Sequence, residues 1–494
     1  LTLGIAGLVR VVITLVETAI MGSDNILSAH FGYDLSRNAY MGTQVATHGT
    51  VYLYEYYYTA YSTMLPLQMY LNAFAGLIGR GLIAIGLPET DLQLAVTAVI
   101  KLIAVAADLA TVALIYKILA KRHDRVAATI MSSFYALVPI TFSLSSAWGS
   151  YESVSAMFIV LAFYFLLNKA SYTGMAVSYF FAAMTSVSAL YVVPAVLFYT
   201  AYVVYRGIRE KNALKIAVPF IAMVGGLVLF YLISLPFVYN QVAAGDAFNA
   251  FDRYIATVKG ANLYTANAFN FQGLLGNNFE AVGLQSEFVT ILYIAFVVAL
   301  LGVAYFRSRN RIHLTLVAAS GVIALWTFGN NMTPDILFAA LPLLFITAAI
   351  LNDKRLFLAF TAYAAFNFVN VSYVYLVSGY DDTGILAVSY ETTAIIYVFG
   401  ALSLLAIIYY VVVAYDVLVN NRVSEQRALN LTYGEHVAYT ARKVFAALGT
   451  LGGKAKALAS ATGEAIKEVR EERKSKKSIS APENENPDED DNKQ

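Results

Sequence analysis

From residue 93 to residue 415 the chain is a succession of apolar runs, and the Lys and Arg residues between them gather in four short clusters. These are Lys117 to Arg125, Arg206 to Lys215, Arg307 to Arg311 and Lys354-Arg355. A helix of about 20 apolar residues spans the hydrocarbon core of a bilayer, and inside lipid every backbone polar group must be satisfied internally. Runs at 93–117, 126–146, 153–168, 173–188, 189–205, 214–238, 286–305, 314–328, 336–351, 356–377 and 391–415 put all four clusters on one side when they alternate across the membrane. Short basic loops stay cytoplasmic, so that side is the inside. With a first span at 3–21, the expectation is an all-α polytopic protein of the cell membrane. It has about 12 transmembrane helices, and both termini are cytoplasmic.

Composition excludes the main alternatives. With 59% hydrophobic and 13% charged residues, 494 residues are too apolar to form soluble domains. The net charge of +1 is spread over loops and tail rather than one basic face, which speaks against a nucleic-acid partner. The absence of cysteine removes disulfides, thiolate metal sites and Cys catalysis. No P-loop, HExxH or serine nucleophile elbow is present.

The spans themselves carry charge. Arg10 and Glu17 in the first run, and Lys101 and Asp108 in the next, are each seven apart on one helical face. Charges at that depth pair with each other or with neighbouring helices, or line a cavity. The first run lacks the charged start and cleavage site of a signal peptide, so it reads as a retained anchor.

The outer side, on this topology, holds most of the unusual polar residues. Residues 22–63 carry Asp24, His30, Asp34, Arg37, His48, Glu55 and the run Tyr54 to Tyr58, and read as a large loop with short surface helices. Residues 64–88 contain two Pro, four Gly and Arg80, which points to a broken or interfacial segment that folds back; residues 22–88 are then one extracytoplasmic region. Residues 239–285 form a second large outer loop with Asp246, Asp252, Arg253 and Lys259, and with Asn267, Phe269, Asn270 and Phe271. Amides beside rings suit sugar recognition. Between two apolar runs lies Ala147-Trp148-Gly149-Ser150-Tyr151-Glu152-Ser153, where an interfacial indole adjoins a carboxylate that must stay hydrated or paired.

Beyond the membrane region at 1–420, residues 421–477 are basic and suit amphipathic helices on an anionic leaflet, a docking element for lipids or protein partners. Residues 478–494 are acidic and Pro- and Asn-rich, as disordered tails are.

The order of these features resembles the C-type (GT-C) glycosyltransferase superfamily, closest to the multispanning mannosyltransferase-like enzymes that use dolichyl- or polyprenyl-phosphate sugars. The matching stretches are Gly22-Ser23-Asp24, Tyr61 to Tyr70 with Leu65-Pro66-Leu67, Lys101 to Lys117, Trp148 to Ser153, Asn267 to Phe271 and Asn331 to Pro342. The resemblance implies sugar transfer from a lipid-linked donor to an acceptor on the outer face, with Asp24 as general base. It places Trp148, Glu152, Asp34, Tyr61 and Pro66 around the substrate and implies no protein metal ligand set. The departing lipid phosphate needs protein cations or a divalent cation to stabilise its charge.

The chain also departs from the family pattern. Ser150 and Glu152 replace a Gln and an Asp in the Trp-Gly turn, Met184 to Val187 replaces a Lys-Pro, and Met332 to Asp335 replaces a His-Glu-Arg-Tyr element. Two expected cations are missing. Arg37, His48, Arg80, Arg253 and Lys259 are the available substitutes, with Arg253 the favoured phosphate contact. Two readings follow: a polyprenyl-phosphate-sugar transferase, and a catalytically inactive lipid-binding or scaffold subunit of the same fold. A secondary transporter is a third, supported by the intramembrane charges but not by any clear internal repeat.

Overall fold

The structure, a computed structural model, describes residues 2–25, 32–49, 64–260, 262–308, 310–377, 379–380, 386–387 and 393–423. The chain divides into units at Leu1–Glu425 and Gln426–Gln494. The second unit, and with it most of the expected basic region and all of the acidic tail, lies outside the described residues.

The first unit is an all-α multipass membrane bundle, apart from the short antiparallel pairing of β1 (Gly379–Tyr380) with β2 (Leu386–Ala387). Its helices are α1 (Thr2–Asn25), α2 (Gly32–His48), α3 (Pro66–Ala84), α4 (Leu92–Leu119), α5 (Arg125–Ala136) and α6 (Pro139–Ala147). Next come α7 (Glu152–Lys169), α8 (Tyr172–Ala183), α9 (Val187–Arg209), α10 (Ala213–Ala243), α11 (Asn249–Lys259) and the single turn α12 (Phe271–Leu274). The remainder are α13 (Leu284–Ser308), α14 (His313–Phe328), α15 (Pro334–Leu351), α16 (Lys354–Val377) and α17 (Ala394–Leu418).

Eight of these helices, among the described residues, are long and apolar enough to cross a membrane; α5 and α6, bent by 63° at their junction, make nine if they count as one span. The expected count of about 12 is not confirmed among the described residues. Pro139 explains the bend, because it cannot donate to the preceding turn. The run at 173–188 is helical only to Ala183, and the 16 residues of α14 fall short of a full span.

Burial sorts the helices into centre and rim. In α15, 89% of the apolar window is buried, and α14 is buried along almost its whole length. Helices apolar on every side are what a bundle centre requires. The window of α10 is only 11% buried, with Phe220, Ile221, Met223 and Leu227 exposed for lipid.

Residues 64–88 are not broken: 66–84 form one uninterrupted helix, which does not qualify as a span. Pro66 sits at its first turn, where a missing N–H is harmless. Gly76 packs against the backbone of Gly42 in α2, and a Cβ at Gly76 would overlap the Gly42 carbonyl. Arg80 donates to the Ala46 carbonyl at 2.6 Å and so satisfies the end of α2.

The four intramembrane charges pair across helices rather than within them. Arg10 Nε donates to Asp108 Oδ2 at 2.6 Å, and Lys101 is paired with Glu17. Helices α1 and α4 therefore run antiparallel, with the seven-residue spacing matched on both. Arg10 also donates to the carbonyls of Ala6 and Ala136, and Asp108 accepts from Ser145 Oγ at 3.2 Å.

Candidate functional site

The Trp148–Glu152 turn joins α6 to α7 and rests on α4. Gly149 has φ +65°, a conformation that favours glycine, and a Cβ there would come within 2.9 Å of the Lys101 side chain. Tyr151 is buried and its hydroxyl donates to Asn72 Oδ1 at 2.7 Å; Asn72 Nδ2 donates to Asn38 Oδ1 at 3.1 Å. The turn, α3 and α2 are thus tied by one polar chain. Burial pushes the Tyr151 phenol upward, so it stays a neutral donor.

Glu152 opens α7 and is 7% exposed. Its carboxylate accepts from Ser188 Oγ at 2.6 Å and from the Ser186 hydroxyl. Ser186 Oγ in turn accepts from the Ser188 N–H at 3.0 Å. Two hydroxyls and the helix N-terminus help to satisfy this buried carboxylate.

Glu152 lines a small chamber with Trp148, Arg37, Asn38, Gln68 and Asp335, of about 50 Å³. Gln68, Glu152 and Asp335 each lie in the first turn of a helix, α3, α7 and α15. The first turns of three helices thus border the chamber, whose lining holds two carboxylates and one guanidinium. Asp335 is oriented by Thr333 Oγ1, which donates to Oδ1 at 2.5 Å, and Trp326 Nε1 holds the Thr333 carbonyl at 3.0 Å.

The expected site residues divide into three groups. Trp148 and Glu152 meet in the chamber. Arg253 and Pro66 meet each other instead in a narrow crevice on the other side of the start of α3, with Phe237 and Tyr254. Tyr254 donates to the Ala183 carbonyl at 3.1 Å, and burial pushes its phenol up to about 12. Asp24 belongs to the last turn of α1 and Asp34 to the first turn of α2, rather than to a loop, and both side chains lie outside the described ones. Tyr61 lies outside the described residues.

Of the substitute cations, Arg37 lines the chamber and Arg253 the crevice, whereas Arg80 serves the end of α2. Ser186, Ser188, Gln68 and Asn72 were not singled out from sequence. Ser186 and Asp335 fall where the family pattern is broken, and that displacement was the available signal. No group of three or more His, Asp or Glu suited to a metal occurs among the described residues.

The amide-and-ring run at 267–271 is structural. Asn267, Phe269 and Asn270 are buried, Asn270 Nδ2 donates to the Trp326 carbonyl at 3.1 Å, and Asn370 bridges the Asn267 carbonyl at 2.6 Å and the Phe269 N–H at 2.9 Å. These amides hold the segment against α14 and α16 rather than facing a sugar.

No protein-family model matches the chain, and no curated protein matches it. Among solved structures it is similar to the apo crystal structure of the Archaeoglobus fulgidus oligosaccharyltransferase, with 13% sequence identity and a TM-score of 0.41. The match covers 89% of this chain and 59% of that one, so this chain spans less than two thirds of that protein. A likeness at that level assigns no activity.

Proposed function

We propose that the chain is an integral membrane glycosyltransferase of the GT-C type, moving a sugar from a polyprenyl-phosphate donor to an acceptor on the outer face. The observation that supports this most is the chamber at the start of α7, where Glu152, Asp335, Arg37 and Trp148 converge beside three helix N-termini. Such a site offers an aromatic face for a sugar ring, and carboxylates and a guanidinium for its hydroxyls. Next to it, Arg253 stands at the crevice whose Tyr254 also borders an apolar groove of about 440 Å³ between α8, α9 and α10. The upper end of that groove, at Phe230 and Phe251, suits the isoprenoid chain of the donor, with its phosphate at Arg253.

In the reaction the acceptor hydroxyl loses its proton to the Asp24 carboxylate as its oxygen attacks the anomeric carbon. The bond from that carbon to the donor phosphate oxygen breaks, and its electron pair leaves with the lipid phosphate. Arg253, where the phosphate is placed, stabilises the charge that develops there. Glu152 is the sugar-orienting carboxylate, held in one rotamer by Ser186 and Ser188.

The competing reading, a lipid-binding or scaffold subunit, is favoured by one observation. A chamber of about 50 Å³ holds one or two waters, and a sugar requires its walls to part. Purified protein given a polyprenyl-phosphate sugar separates the two. Asp24→Asn and Glu152→Gln should each lower transfer about 100-fold or more while the protein stays monodisperse. Absence of transfer by the wild-type chain across donor sugars, with the donor lipid still bound, would establish the subunit reading instead.

A further inference from the structure

At the other end of α10 lies a second cavity, of about 380 Å³, that the transferase reading does not use. Arg206 on the last turn of α9, Lys215 on the first turn of α10 and Arg311 ahead of α14 line it, together with Tyr172, Tyr199 and Tyr202. Three cations from three segments thus face one hollow. Glu210 accepts from both Arg206 and Lys215 and offsets one charge; Arg311 has no carboxylate partner among the described residues.

The walls are not those of a site for a soluble anion. Tyr172, Tyr199 and Tyr202 stack in sequence, with ring centroids 6.3 and 6.4 Å apart, and Val203, Leu214 and Val218 add apolar wall beside Ala170 and Asn212. Tyr172 also lines the apolar groove of about 440 Å³, so the cationic hollow shares a wall with an apolar groove beside the membrane-spanning part of α9 and α10. Phosphate-sized charge at the bilayer edge followed by a chain-sized apolar path is the shape of a phospholipid.

We propose that this cavity binds the phosphate headgroup of an anionic membrane phospholipid from the leaflet on the side of the 210–212 turn, with its chains lying past Tyr172 in the lower part of the groove. By the charge argument that leaflet is the cytoplasmic one. Its headgroup cavity lies apart from the transferase chamber, while its chains take the other end of the groove given to the donor lipid, and the test below reads binding without requiring sugar transfer.

Native mass spectrometry of the full chain, loaded with phosphatidylglycerol or phosphatidylcholine, tests the proposal. The wild type should retain phosphatidylglycerol in preference, and Arg311→Gln or Lys215→Gln should each weaken that retention about fivefold. Val218→Trp, which fills the cavity and leaves every charge in place, should abolish it. Arg125→Gln, an exposed cation on another turn, should leave it unchanged. Equal retention of phosphatidylcholine, or equal loss with Arg125→Gln, would reduce the effect to general surface charge and overturn the site. Displacement of the lipid by inorganic phosphate at matched concentration would identify a soluble anion as the ligand and overturn it also.

Discussion

Arg10 and Asp108 are both essentially inaccessible, 0% and 1% exposed, and the carbonyls of Ala6 and Ala136 and the Thr141 hydroxyl accept from the other guanidinium nitrogens. Removing one partner of such a pair leaves the other charge buried and unmatched, which costs far more than the pair is worth. Arg10→Met should destabilise the protein by about 3–5 kcal/mol, and Arg10→Met combined with Asp108→Leu should recover most of that loss. Thermal unfolding in detergent, read as a double-mutant cycle, checks both statements; additive losses would mean that the two residues do not act as a pair. The residues and their spacing were legible in the sequence, but the partners were not. A seven-residue interval says which face a charge occupies, and only the antiparallel docking of α1 and α4 says what it meets.

The contact between α2 and α3 depends on two glycines at the crossing. Gly76→Ala would drive a Cβ into the Gly42 carbonyl, a backbone atom that cannot rotate away, and should cost about 1–3 kcal/mol. Gly81→Ala, in the same helix but with nothing within 4 Å of the added carbon, should be neutral or stabilising by up to about 1 kcal/mol. The melting temperature should fall for Gly76→Ala and hold or rise for Gly81→Ala, and a comparable fall in both would remove the packing argument. Element type was readable for the long runs, where hydrophobic length decides. At 64–88 the expected break does not occur, because Pro and four Gly resemble a break only in one dimension, while the interfacial alternative is not contradicted. In the structure Pro66 opens the helix and Gly42 and Gly76 provide the close approach.

At the scale of the whole molecule, the 31 residues of α10 separate the turn at 210–212 from the turn at 244–248 by roughly 46 Å, more than a hydrocarbon core. The chain has no cysteine, so single cysteines report cleanly. Lys211→Cys and Asp246→Cys should react with an impermeant maleimide from opposite sides of sealed vesicles, Asp246→Cys from the outside. Labelling of both from one side would show that α10 does not cross. Reaction of Lys211→Cys from outside would invert the topology and place the Glu152 chamber in the cytosol.

Sequence alone determined that this is a helical membrane protein, because runs of apolar residues with few charges have no other stable arrangement in water or lipid. It also marked Trp148 and Glu152, since a carboxylate between two apolar runs must find a partner. The tertiary structure decided who those partners are. Ser186 and Ser188 bond to Glu152, Arg37 and Asp335 line the same chamber, and because all four come from other segments of the chain, their meeting depends on how helix ends stack, which no local pattern encodes. The same packing turned the Asn267–Phe271 run from a surface expected to bind sugar into a buried brace, because amide groups serve either purpose equally well until their neighbours are known.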